Sequence, residues 1–140
     1  HKTKVSINNS RGNVKICTTI SRWISINEEI QGVAEDALGR GVKFRAVLEM
    51  PNNDFRLSKE LNRIITHPNY EVRALSSVLR SNSAVFDGKV VSFNYYPSKS
   101  ISDSPMIWTN HPSFVVGSLL YFRSVWEKAI DYQRIATKAC

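Results

Sequence analysis

The sequence predicts a single α/β domain: one mixed sheet with flanking helices and a long C-terminal helix. Three features carry that prediction. β-branched, strand-like runs alternate with helical spacing through the first half of the chain, which implies right-handed parallel crossovers. An Asp87-Gly88 pair then separates two β-rich runs, the mark of an antiparallel hairpin. From Pro112 toward Lys138 the apolar spacing is helical throughout.

In chain order, residues 1–13 are polar and read as a flexible N-terminal segment. Val14–Ile20 is dominated by branched residues and reads as a strand. A first helix is expected from Ser25, where Ser25 and Glu28 have capping-box spacing, and Gly39 and Gly41 end it. Val42–Met50 alternates, with Val42, Phe44, Ala46 and Leu48 on its apolar face, so it reads as a second strand. Asp54 is the expected cap of a helix through Leu57, Leu61, Ile64 and Ile65, which stops before Pro68. Tyr70–Leu75 is a third strand. Ser83–Phe86 and Lys89–Tyr96 flank the hairpin turn, and Ile107–Asn110 leads into Pro112 at the first turn of the last helix.

The length of 140 residues suits one domain, placed at 14–129, and 42% apolar against 22% charged residues is ordinary for a globular protein. No apolar run nears the roughly 18 residues of a membrane span. The chain begins without Met and ends inside a helical pattern. It is therefore read as part of a longer protein, with 130–140 a helical connector to an output module. Cys17 and Cys140 lie far apart, which fits a buried thiol and a terminal one in a reducing cytoplasmic setting. The net charge of +7 comes from 19 scattered Lys and Arg residues, a pattern of solvated surface, so direct nucleic-acid binding is not favoured.

Catalytic and metal signatures are absent from the sequence. His1, His67 and His111 have no ligand spacing, and no nucleophile elbow, P-loop or dinucleotide turn occurs. No metal and no cofactor is expected. Open sheets bind ligands where strands end, which nominates Glu49, Asn52, Asn53 and Ser76, with Trp108 and Asn110 closing the same cleft around a small-molecule ligand. The same residues also read as turn, cap and core. In the last helix, Val115, Leu119, Phe122, Trp126 and Ala129 form one seam, and Phe114, Leu120, Tyr121, Val125 and Ile130 widen it. So broad an apolar arc needs cover on two sides, which suggests a homodimer through this helix or a sheet edge.

Val85-Phe86-Asp87-Gly88-Lys89, then Ile107 through Val115, then Tyr121-Phe122 and Val125 through Ala129 resemble the effector-domain pattern of TrmB-type archaeal regulators. That domain has a phospholipase D-like fold, and related versions serve as sensory modules of archaeal signalling proteins, histidine kinases among them. The resemblance spans roughly Val14 to Ala129, specific in the C-terminal third and topological before it. It implies a sensory or regulatory domain, foremost of a histidine kinase, that signals through the C-terminal helix. The alternatives are the effector domain of a TrmB-type transcription regulator and a nucleic-acid- or anion-binding module. The phospholipase signature is His-x-Lys-x-x-x-x-Asp. With Asp87 set on its Asp, Arg80 stands at the nucleophile and Asn82 at the Lys, which implies a domain without phosphodiester chemistry.

Overall fold

The computed structural model describes residues 2–30, 32–50, 57–94 and 106–131. Among the described residues the elements are, in order, α1 (Lys2–Asn9), β1 (Asn13–Thr19), α2 (Ile20–Glu29), α3 (Val33–Gly39), β2 (Lys43–Glu49), α4 (Lys59–Ile65), β3 (Tyr70–Leu75), β4 (Asn82–Phe86), β5 (Val90–Asn94), β6 (Ile107–Thr109), α5 (Pro112–Lys128) and β7 (Ile130–Asp131). The strands form one seven-stranded sheet in the order β6-β5-β4-β1-β2-β3-β7. β1, β2 and β3 run parallel, and the remaining pairings are antiparallel, so the sheet is mixed as predicted.

Strand alternation assigns the two faces. Val14, Phe44, Ala46, Leu48, Tyr70, Val72 and Phe86 join the core beneath α1 to α4, together with Ile7, Trp23, Leu38, Leu61 and Ile65. Cys17, Val47 and Leu75 face the other way, onto Phe122 and Val125 of α5. Val85, Val91 and Phe93 meet Val115 at the start of the same helix. The hairpin forms at the expected place. Asp87 and Gly88 take positive φ angles of 55° and 65°, and the Lys89 N–H closes the turn onto the Phe86 carbonyl at 3.0 Å.

Several local expectations are corrected. Lys2–Asn9 is helical rather than irregular: Ile7 is buried in the core, and Arg40 Nη2 donates to the carbonyls of Ile7, Asn8 and Ser10 at 3.0, 3.3 and 3.2 Å. A short polar helix is marginal alone and is held by such tertiary contacts. The helix assigned to Ser25 starts earlier, with Thr19 as N-cap accepting the Arg22 N–H, and Gly32 at φ 84° separates it from α3. Ser25 lies within the helix, where its hydroxyl donates back to the Ser21 carbonyl at 3.1 Å. Ser58 caps α4, and Asp54 lies outside the described residues. The last helix stops at Lys128: Ala129 is extended, and Ile130–Asp131 pair with β3. Residues 132–140 of the expected helical connector lie outside the described residues. The apolar arc of α5 is covered on one side only, leaving Phe114, Val116 and Leu120 exposed.

Candidate binding pocket

The hairpin register brings two buried amides together. Asn82 and Asn94 are paired across β4 and β5, both inward on the face shared with α1 and α2. Thr18, at the end of β1, donates to Asn82 Oδ1 at 3.1 Å, and Asn82 Nδ2 donates to Asn94 Oδ1 at 3.2 Å. The chain continues to sulfur, with Asn94 Nδ2 and Arg22 Nη2 lying 3.3 and 3.4 Å from Met106 Sδ. Ser92 is buried beside them. Among the described residues no buried side-chain polar atom lacks a partner, as the cost of an unmet buried hydrogen bond requires.

Arg22 supplies the charge. Its side chain comes from the first turn of α2, which Thr19 caps, and the residue is 6% exposed. Burial draws its pKa downward, yet a guanidinium starts so high that it stays a cation. A cavity of about 70 Å³ opens here; its lining is mostly apolar, with Ile7 of α1, Val14, Ile16, Ile26 and Phe44, and Thr3, Thr18, Arg22, Asn82 and Ser92 are its polar members. That is room for a few water-sized groups. The wall behind it is aromatic: Trp23 Nε1 donates to the Tyr70 hydroxyl at 2.8 Å, and Tyr70 stacks on Phe44 at 5.1 Å. Burial raises the Tyr70 pKa, so the hydroxyl stays neutral.

The residues nominated from the sequence do not converge there. Glu49 accepts the Leu79 N–H at 2.6 Å and so holds the loop after β3, on the face of α5. Ser76 is exposed in that loop. Trp108 lies on the opposite face, stacked on Phe86 at 5.9 Å. Four strand spacings separate β6 from β2, or about 19 Å, so Trp108 and Glu49 do not close one cleft. Asn110 is exposed between β6 and α5, and Asn52 and Asn53 lie outside the described residues. The residues that sequence reading missed, Thr18, Arg22, Asn82 and Asn94, did leave a trace. Asn82, Ser92 and Asn94 are polar at positions that strand alternation turns inward.

Asp87 is placed elsewhere. Its Oδ1 accepts the N–H groups of Gly12 and Asn13 at 2.8 and 3.0 Å, and its Oδ2 accepts that of Arg11 at 3.0 Å. Partial burial pushes its pKa up, but these three bonds and the charge of Lys89 outweigh it and hold the carboxyl below its usual value. Arg80 is exposed, its N–H donating to the Tyr121 hydroxyl at 2.8 Å.

This architecture is similar to three solved structures. NucT from Helicobacter pylori superposes with a TM-score of 0.70 at 17% identity, over 94% of this chain and 89% of that one. Nuc from Salmonella typhimurium, a phospholipase D family member, gives 0.69 at 16% identity, over 94% and 88%. The fold is that of phospholipase D. TrmBL2, an archaeal chromatin protein whose structure shows a novel mode of DNA binding, gives 0.68 at 18% identity over 92% of this chain. The chain spans 48% of TrmBL2. No protein-family model and no curated protein sequence matches the chain. No helix among the described residues is long and apolar enough to cross a membrane.

Proposed function

We propose that this chain is a non-catalytic regulatory module, built on the phospholipase D fold, that takes a small polar ligand in the pocket around Arg22. The observation that carries the reading is what occupies the signature positions. With Asp87 set on the signature Asp, Arg80 falls at the nucleophilic His and Asn82 at the Lys, and the Asn82 amide is committed to Thr18 and Asn94. Asp87 is spent on the backbone of residues 11–13. Among the described residues that line the pocket, none carries an imidazole.

The pocket also bears on the route of the signal. Thr3 and Ile7 line the cavity, whereas α5 packs on the opposite face of the sheet. In this reading occupancy acts first on α1, and α5 responds only through the sheet. The likeness to TrmBL2 is compatible with a transcription or chromatin regulator as the parent protein, the alternative to a histidine kinase. Ile107 of β6, the last strand of the sheet among the described residues, and Phe114 of α5 are exposed, and this reading assigns that surface to a homodimer.

A thermal-shift screen of small anions and other ligands of a few heavy atoms tests the reading. At about 100 times its dissociation constant a ligand should stabilise by roughly 2.7 kcal/mol, and Arg22→Ala should abolish the shift. No stabilising ligand, or turnover of bis-(p-nitrophenyl) phosphate lost on Asp87→Ala, would overturn it. A second reading is direct contact with nucleic acid, favoured by the +7 charge and by the DNA binding of TrmBL2. It requires duplex affinity that falls steeply with salt.

A further inference from the structure

The face of the sheet under α5 changes character halfway along its strands. Cys17 and Val47 lie beneath Phe122 and Val125, but two residues earlier on the same face stand Lys15 and Arg45, neighbours in register. α5 crosses this boundary and leaves a groove of about 450 Å³ beside it. One wall is apolar, formed by Val116, Leu119 and Leu120, with Val116 54% and Leu120 62% exposed. The other, on the sheet, is cationic with Lys15 and Arg45, and Arg123 adds a third cation further along α5 beside the carboxylate of Glu127.

We propose that this groove docks an acidic amphipathic helix of a partner protein, a function separate from the pocket around Arg22. Leucine-type side chains would cover Val116 and Leu120, and flanking carboxylates would reach Lys15, Arg45 and Arg123. An apolar helix face fits a groove of this kind through anchors three and four residues apart. The existing ion pairs are exposed and cheap to exchange: Arg45–Glu71 at 3.6 Å and Arg123–Glu127 at 3.4 Å. Lys15 has no carboxylate within 4 Å among the described residues.

Other occupants fit less well. A second copy related by a two-fold axis would set these cations against themselves. Residues 132–140 carry Arg134 and Lys138 and no acid, so that segment has the wrong charge. Nucleic acid would satisfy the cations but leave the apolar wall uncovered. The ring of Trp126 is also taken, with the Arg73 guanidinium 4.2 Å from its centroid, so it offers little platform for a base.

The test uses a labelled 18-residue helical peptide with leucines along one face and glutamates on both flanks. Its binding to the 140-residue chain is followed by fluorescence anisotropy. Saturable binding is expected, weakened at least tenfold by Leu120→Glu and by Lys15→Glu with Arg123→Glu. A lysine-flanked version of the peptide should bind poorly to the parent chain and recover on the double charge-reversal variant. Leu120 and Arg123 are exposed and Lys15 is half-buried, and unchanged melting temperatures would show that the variants fold. The proposal is overturned if Leu120→Glu leaves binding intact or charge reversal gives no recovery. It is equally overturned if light scattering shows a dimer that Leu120→Glu dissolves, or if duplex DNA binds with the same dependence on Lys15 and Arg123 and none on Leu120.

Discussion

Asp87 holds the backbone of Gly12 across 75 residues of sequence, its Oδ1 accepting the amide at 2.8 Å. Neighbouring amides of Arg11 and Asn13 complete the grip, which ties the hairpin turn to the entrance of β1. Hydrogen bonds to a charged group contribute about 1.5–3 kcal/mol each at most, and the site is partly exposed. Asp87→Ala is therefore expected to cost about 2 kcal/mol in urea unfolding, while Asp87→Asn, which tolerates positive φ, should cost less. A loss below about 0.5 kcal/mol for the alanine variant would show the bonds to be replaceable by water.

The same contact sets an acid dependence. The folded carboxyl titrates below its ordinary value of 3.8. Its contribution is thus present above that value and is lost as pH falls through the lower folded pKa. Stability measured from pH 5 downward should decline through this window, and Asp87→Asn should flatten the part due to this group. An unchanged slope would assign the decline to other carboxyls.

Tyr70 accepts from Trp23 Nε1 at 2.8 Å with both residues buried. Tyr70→Phe keeps the stack on Phe44 but leaves the indole N–H without its acceptor. The expected loss is about 1–3 kcal/mol, visible as a lower urea midpoint with an unchanged slope. Trp23→Phe together with Tyr70→Phe should cost less than the two single losses summed, since neither partner is then stranded.

Arg73 stacks on Trp126 and donates to its carbonyl at 2.8 Å, satisfying the end of α5 where β7 begins. Arg73→Ala should cost about 1–2 kcal/mol and should speed amide exchange in Ala129 and Ile130. Arg73→Lys keeps the charge but not the planar stack, and should fall between the two. Exchange confined to the first turns of α5 would contradict this.

Cys17 is fully buried, and burial pushes its thiol up to about 12 despite a hydrogen bond with Ser83. It should resist iodoacetamide at pH 8 in the folded chain and react once urea unfolds it, as followed by mass spectrometry of its peptide. Rapid labelling of native protein would mean that the β1–α5 core opens readily.

Much of the sheet was legible because its signals are local. Alternation marked β2, branched residues marked β1, and Asp87-Gly88 supplied the positive φ angles its turn needs. What was illegible depends on partners distant in sequence. α1 has little amphipathic signal and relies on Arg40, and β7 is two residues long and exists only as an addition to β3. Ser25 and Glu28 imitate a cap because spacing alone does not reveal that Thr19 already starts the helix. The pocket was hidden for the same reason, since Thr18 and Asn82 meet across 64 residues through sheet register. Reading the strand ends as one cleft failed because Glu49 and Trp108 lie on opposite faces of the sheet.

The placement of β1 between β2 and β4 has a consequence for biosynthesis. At about 5–20 residues per second, the roughly 70 residues from β1 to β4 take several seconds to translate. Throughout that interval one flank of the central strand, with Val14, Ile16 and Cys17, has no partner, and bare strand edges of this kind recruit other chains. Expression yield should therefore rise with slower initiation, which lengthens the distance between ribosomes on one message. The vulnerable species is the nascent chain rather than the finished fold.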